Sequence, residues 1–483
     1  MPIPTRFVSV LPLLCAFVCV LGAVQGPTQE KPPAAASRAF VLQKGEIVPS
    51  VRSEAKPDQS YALYVPTNYA PERRWPMIYV FDPDASGSRP LELMKETAES
   101  YGYLLAGSNN SRNGSWEIER DAAREMWSST HNFLSIDDQR VYFAGFSGGA
   151  RVSVHLAQLC NCAHGVFLNS AGFYAASPPS RKPAFALFTM AGMADFNYAE
   201  LAELDTGLES LGARHFFQRF DGKHAWAPAT VWQEALAWSA LWEMKDNLRD
   251  RDQNLITTEF ARATDRLRQR EATGDLYFAV GEYRSVGATF DGLTDTSELK
   301  KRLSVLADSP AVRNGAKQQK AEIEKQRSLE ADIFKVTTAM RDDGGDQASR
   351  FADASNRIRE LRERSIKERN PDSRRALERA AANVFVTSME TAQQLLDQGQ
   401  SHTAELYFEL GAVARPDSKW PPLSLAECHA AMGDKKAALR DLKRAREAGS
   451  TIAELDEFVK TNAKLAPLMD TPAYRKLVGV TSP

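Results

Sequence analysis

A serine between glycines, Gly145-Phe146-Ser147-Gly148-Gly149, follows the apolar run Val141-Tyr142-Phe143-Ala144. This G-x-S-x-G pattern puts a hydroxyl on the sharp turn from a buried strand into a helix. The glycines leave room beside the strained serine, and the helix that follows aims its amide dipoles at the site. The chemistry that suits such a turn is nucleophilic attack by an exposed serine oxygen. The competing reading is a Gly-rich strand-to-helix turn with no chemistry.

A hydroxyl attacks only when a base takes its proton, and the base needs an acid to fix its tautomer and stabilise the imidazolium. With such an elbow the partners follow in the order Ser, Asp or Glu, His, each past the end of a successive strand. The strand-like run Ala184 to Met190 ends in Ala191-Gly192-Met193-Ala194-Asp195, and His215 to Phe220 ends in Asp221-Gly222-Lys223-His224-Ala225-Trp226. Asp195 is therefore the expected acid and His224 the expected base. Asp205 reads as part of a helix, and Asp221 is too close in sequence to reach round the imidazole. His131, His155, His164, His215, His402 and His429 read as core or surface histidines.

Four stretches, Tyr61-Ala62-Leu63-Tyr64-Val65-Pro66, Asp138-Gln139-Arg140-Val141-Tyr142, the elbow itself and His224-Ala225-Trp226, resemble the α/β-hydrolase superfamily. Within it they are most similar to the feruloyl esterase, polyhydroxybutyrate depolymerase and dienelactone hydrolase group. The resemblance covers residues 45 to 245. It implies Ser147 as nucleophile, His224 as general base and then acid, Asp195 as the orienting acid, and an acyl-enzyme released by water.

The chain departs from the pattern after the run Met77 to Phe81. Related enzymes carry His-Gly there, and the loop beyond gives an amide to the oxyanion hole; here the residues are Asp82-Pro83-Asp84-Ala85-Ser86-Gly87. Pro83 has no N–H to give. The expected donors are the backbone N–H groups of Gly148 and Asp84, unless Asp82 and Asp84 cap the loop or the next helix. Asn109, in the polar loop Ser108 to Gly114, is expected to line the substrate cleft, with turn formation as the alternative. Trp226 is expected to wall the cleft beside the base.

These residues need a sheet to hold them, and the rest of the chain supplies more than one core. It has 483 residues, 43% of them apolar, and a formal net charge of -2. That balance gives no argument for nucleic acid or anionic membrane surfaces. Neither a His-Glu-x-x-His nor a paired Cys-x-x-Cys motif occurs, so no metal or other cofactor is expected. Arg6 followed by the apolar segment Phe7 to Leu21 reads as a secretory signal over residues 1–26, implying a secreted or periplasmic protein; a retained membrane anchor is the alternative. Residues 27–44 read as a linker. Cys15 and Cys19 leave with the signal, and Cys160, Cys162 and Cys428 remain. Cys160 and Cys162 read as small apolar filler at a helix end, with a local disulfide or metal site as the alternative.

Past residue 245 the strand signals stop and helical patterns take over. Gly399 and Gly433 are 34 residues apart (433 − 399), and Ala404 with Ala438, Phe408 with Leu442 and Gly411 with Ala445 keep the same interval. Residues 384–483 are similar to tetratricopeptide repeats with a C-terminal cap. Gly274, Ala279 and Tyr283 hint at an earlier, degenerate unit. Residues 246–383 read as a helical, charged spacer or degenerate repeats, with a binding surface as the alternative for 315–382. The fold class expected is α/β: an α/β-hydrolase domain with a mostly parallel sheet, followed by an all-α helical repeat domain. The expected partners are a small-molecule or polymer-linked ester at the serine and a protein on the repeats. A serine peptidase and a catalytically degenerate binding protein are the competing functions.

Overall fold

The apolar runs Trp75–Phe81 (β3), Leu104–Ser108 (β4) and Ala186–Gly192 (β7) are buried along their whole length. Strands lose the alternating pattern in this way when helices cover both faces of a parallel sheet. A computed structural model describes residues 42–174, 179–341 and 346–479. The signal segment, most of the linker and residues 342–345 lie outside them. Among the described residues no helix is long and apolar enough to cross a membrane.

The other strands are Ile47–Arg52 (β1), Ser60–Tyr64 (β2), Ile136–Phe146 (β5), Ala163–Asn169 (β6) and His215–Phe220 (β8). The eight form one sheet in the order β1-β2-β4-β3-β5-β6-β7-β8. β2 runs antiparallel to β1 and β4, and all pairings from β4 to β8 are parallel. The carboxyl ends of β3, β5, β6, β7 and β8 therefore share one edge, where ligands bind in open α/β sheets. Gly148–Cys160 (α3) packs on β3, β5 and β6, while Ser88–Tyr101 (α1) and Ala229–Lys245 (α5) pack together. Leu91 and Met94 of α1 share a core with Trp232 and Leu236 of α5.

That core does not stop at residue 245. Phe188 of β7 and Phe216 of β8 stack at 5.1 Å, and Trp238 of α5 meets Phe188 edge-on. The same cluster continues through Ile256 and Leu267 of Gln253–Ala272 (α6) to Val286 and Phe290 of Leu276–Phe290 (α7). It ends with Leu299 of Ser297–Ala307 (α8) and Val312 of Pro310–Ala339 (α9). The 30-residue α9 then enters a second core through Ile333. Gln347–Lys367 (α10) and Pro371–Asp397 (α11) bury Ile358, Leu361, Leu377 and Val384 in that core, so residues 315–382 are not a solvated spacer. Their charges occupy the outer faces of helices whose inner faces are packed.

Three helix pairs share one turn. α6 joins α7 at Gly274, α11 joins Ser401–Ala414 (α12) at Gly399, and Trp420–Ala431 (α13) joins Lys435–Glu447 (α14) at Gly433. The glycines have φ of 77°, 78° and 80°, the left-handed region where a Cβ is unfavourable. Each donates its N–H to the carbonyl three residues back, and the next residue donates to the one five back, as Asp275 does to Arg270, Gln400 to Leu395 and Asp434 to His429. This is the double hydrogen bond of a Schellman cap. Five and nine residues past each glycine stand the buried pairs Ala279 and Tyr283, Ala404 and Phe408, and Ala438 and Leu442. Cys160 and Cys162 are exposed or half-buried and disulfide-bonded to each other rather than apolar filler, because the left-handed Asn161 folds one onto the other. Cys428 is a buried free thiol.

Candidate active site

Ser147 sits between β5 and α3 with φ 53° and ψ −121°, a strained conformation for a residue with a Cβ. Close packing on both sides enforces it. A Cβ on Gly145 would strike the Gly149 carbonyl, and a Cβ on Gly149 would strike the Phe81 carbonyl of β3. The Ser147 N–H donates to the Asn169 carbonyl at the end of β6 (2.9 Å). Gly148, the first residue of α3, has an N–H with no possible partner inside the helix.

The turn after β7 carries the acid and the turn after β8 carries the base. Backbone hydrogen bonds stitch these turns together, from Met193 to Phe220 (2.9 Å) and from Ala194 to Gly222 (2.8 Å). His224 Nδ1 lies 2.9 Å from Asp195 Oδ1, and His224 Nε2 lies 2.9 Å from Ser147 Oγ. A carboxylate can only accept, so Nδ1 carries the proton, and Nε2 is left to accept from the serine hydroxyl. Asp195 is fully buried, and its Oδ1 also accepts from the Asn197 N–H (2.9 Å). Its Oδ2 is buried with no hydrogen-bond partner among the described residues. Asp205 is occupied with His215 in a 3.2 Å pair, and Asp221 is exposed. The three residues expected from the sequence meet in one relay.

Three other expectations are corrected. The Asp84 N–H donates to Asp82 Oδ1 (2.8 Å), so it does not point at a substrate oxygen. Ala85 donates to the Asp82 carbonyl, Ser86 to Asp82 Oδ1 and Gly87 to Asn109 Oδ1. Every N–H from 84 to 87 is thus committed within the fold. The Asn109 carboxamide is committed to holding its loop: besides accepting from Gly87 it donates to the Pro49 carbonyl (3.0 Å) and Ser60 Oγ (3.2 Å). Trp226 is 7% exposed, packs against Phe146 and Trp232, and donates its indole N–H to Asp82 Oδ2 (2.7 Å). It is a core residue that ties the base turn to the loop after β3. Buried Asp82 is the acceptor that organises both.

Several residues of the site went unread in the sequence. Phe146 and Phe196 flank the His224 ring, with centroids 4.6 and 4.1 Å away. Asn169, the one polar residue closing the apolar strand Gly165 to Leu168, accepts from the Ala227 N–H and donates to the Ala225 carbonyl, fixing the base turn. Asn113 donates its N–H to the Pro83 carbonyl (2.9 Å). Its carboxamide presses on Gly148, where an added Cβ would collide with Oδ1. Arg151, one turn past the nucleophile, makes a two-pronged pair with Glu200 (2.9 and 2.8 Å) and donates to the Phe173 carbonyl. The signal for each was weak because each depends on a partner distant in the chain.

No protein-family model matches the chain, and no curated protein is similar enough in sequence to match it. Solved structures do align with part of it. A fluorophosphonate-binding serine hydrolase of Staphylococcus aureus aligns at 13% identity and TM-score 0.32, over 38% of this chain and 92% of its own. An S-formylglutathione hydrolase of the same organism aligns at 13% identity and TM-score 0.34, over 42% and 99%. A ferulic acid esterase aligns at 16% identity and TM-score 0.32, over 40% and 94%.

Proposed function

We propose that this protein is a serine hydrolase that cleaves carboxylic esters through an acyl-enzyme. The observation that carries the proposal is the relay from Ser147 Oγ through His224 to buried Asp195, two contacts of 2.9 Å built on a strained elbow. Ser147 Oγ attacks the ester carbonyl as His224 Nε2 takes its proton. Asp195 stabilises the imidazolium formed, without itself taking the proton. His224 then protonates the leaving alcohol, and water repeats the sequence in reverse to free the acid. The N-terminal segment supports export, and the helix pairs past residue 245 are proposed as a surface for a protein partner.

The oxyanion formed in each step needs donors. Gly148 supplies one N–H, and the commitments of residues 84 to 87 remove the loop after β3 as a source of the second. The Asn113 carboxamide, lodged against Gly148, fills that role by turning its Nδ2 toward the developing charge. Losing one such donor costs about 3 kcal/mol, or roughly 10²-fold in rate. Asn113→Ala is therefore expected to lower kcat about 10²-fold with little change in KM and an unchanged melting temperature. A kcat within twofold of the parent would assign the second donor elsewhere.

For the substrate, Phe146 and Phe196 beside His224 favour a small or aromatic acyl group. Only Tyr198–Ser210 (α4) and β8 separate acid from base, leaving no long lid there. A panel of feruloyl, acetyl, hydroxyalkanoate and peptide substrates tests this, with the aryl and short acyl esters expected to be turned over fastest. Faster cleavage of peptides than of every ester would make the protein a peptidase.

A further inference from the structure

We propose that Arg379 and Gln326, on helices outside the sheet-bearing region, are positioning residues that hold the Met193–Asn197 turn so that Asp195 meets His224. The inference rests on the serine hydrolase reading. Arg379 of α11 is 1% exposed, as is Gln326 of α9. The guanidinium donates through Nη1 to the Met193 carbonyl (2.9 Å), through Nε to Gln326 Oε1 (2.7 Å) and through Nη2 to Glu322 Oε1 (2.7 Å). Gln326 Nε2 donates to the Phe196 carbonyl (3.0 Å) and to Glu330 (2.9 Å). The carbonyl two residues before Asp195 and the carbonyl just after it are thus both held by side chains from α9 and α11. Two residues further on, Tyr198 carries the Arg379 guanidinium over its ring at 4.7 Å and receives a hydrogen bond from Gln319 of α9.

Burying an arginine is costly unless its charge is paired and its donors are used. Arg379 satisfies both conditions, with Glu322 as counter-charge and a main-chain carbonyl of the acid turn among its acceptors. Of the Asp195 carboxylate only Oδ1 is tethered, and the Phe196 ring lies against His224, so a shift in either carbonyl moves the acid and the base together. A displacement of about 1 Å in a catalytic group costs on the order of 10²-fold in rate. Gln326 and Arg379, each more than a hundred residues beyond the triad, therefore set its geometry.

The experiment uses the full chain and a small soluble ester. Arg379→Gln is expected to lower kcat and the rate of fluorophosphonate labelling of Ser147 together, about 10²-fold, with KM within about threefold. Gln326→Leu, which keeps the Arg379 to Met193 contact, is expected to lower both about tenfold. A partner that acts through Asp195 adds little once the acid is gone, so Arg379→Gln in an Asp195→Asn background is expected to cost less than about threefold more. The acidic limb of the kcat/KM profile is expected to move to lower pH in Arg379→Gln, because a misplaced carboxylate stabilises the imidazolium less. Glu390 of α11 also acts electrostatically on His224 and is untouched by the substitution. Full additivity with Asp195→Asn, or an unmoved acidic limb in a cooperatively melting variant, would reduce Arg379 to a structural contact. No labelling of Ser147 in the parent would sink the hydrolase reading itself, and this inference with it.

Discussion

Replacing Ser147 by alanine is expected to abolish both ester hydrolysis and labelling by a fluorophosphonate, while mass spectrometry of the parent finds a single adduct at Ser147. Alanine keeps the Cβ that the φ of 53° already tolerates and removes only Oγ, so the melting temperature should be unchanged. The loss expected in kcat is about 10⁶-fold for Ser147→Ala and His224→Ala alike, and the pair combined should cost no more than either. Asp195→Asn is expected to cost about 10⁴-fold. Asp195 Oδ1 accepts from both His224 and Asn197, so an asparagine that keeps its oxygen there can retain both contacts; what it loses is the negative charge that stabilises the imidazolium. Equal activity in Asp195→Asn would move the acid role away from this residue, and an adduct at any other residue would remove Ser147 as nucleophile.

The contacts among Ser147, His224 and Asp195 were legible because each residue follows a strand whose apolar run is local in sequence, and the order of three strand ends is a linear property of the chain. The sheet was legible for the same reason: fully buried strands such as β3 and β7 are contiguous apolar runs. The helix pairs turning at Gly399 and Gly433 were legible at offsets of five and nine from each glycine, since a helix turns every 3.6 residues and small and large apolar residues must recur on one face. What could not be read is hydrogen-bond accounting between distant segments. Asp82 was legible as a possible cap of its own loop, and its Oδ1 does accept from Asp84 and Ser86, but its second donor, Trp226, lies 144 positions away. Asn109 looked free to bind substrate because its partners Pro49, Ser60 and Gly87 are ordinary residues. The charge of residues 315–382 hid the thin apolar stripes of α9 and α10. Arg379, one arginine in that charged stretch, finds its acceptor 186 residues upstream.

A chain ending at Lys245, the point where strand signals stop, is expected not to fold. The cut strips α6 and α7 from Phe188, Phe216, Trp238 and Leu241, which share one core with Ile256, Leu267, Val286 and Phe290. Uncovering a large apolar side chain costs about 1.5–3 kcal/mol, so uncovering these four costs about 6–12 kcal/mol, comparable with the about 5–15 kcal/mol by which a domain is stable. Polar contacts fail with them. Arg219 of β8 is nearly buried, pairs with Asp275 and lies under the Phe278 ring, all past the cut. Glu234 of α5, held above the ordinary carboxylate range by burial, loses the Arg266 guanidinium that opposes that shift. The expected product is aggregated, or soluble without near-ultraviolet circular dichroism and without a cooperative melt. A soluble fragment that melts cooperatively and turns over a small ester at the parent rate would show the helical cover to be dispensable. It would also sink the role given to Arg379 and Gln326, since both lie beyond the cut.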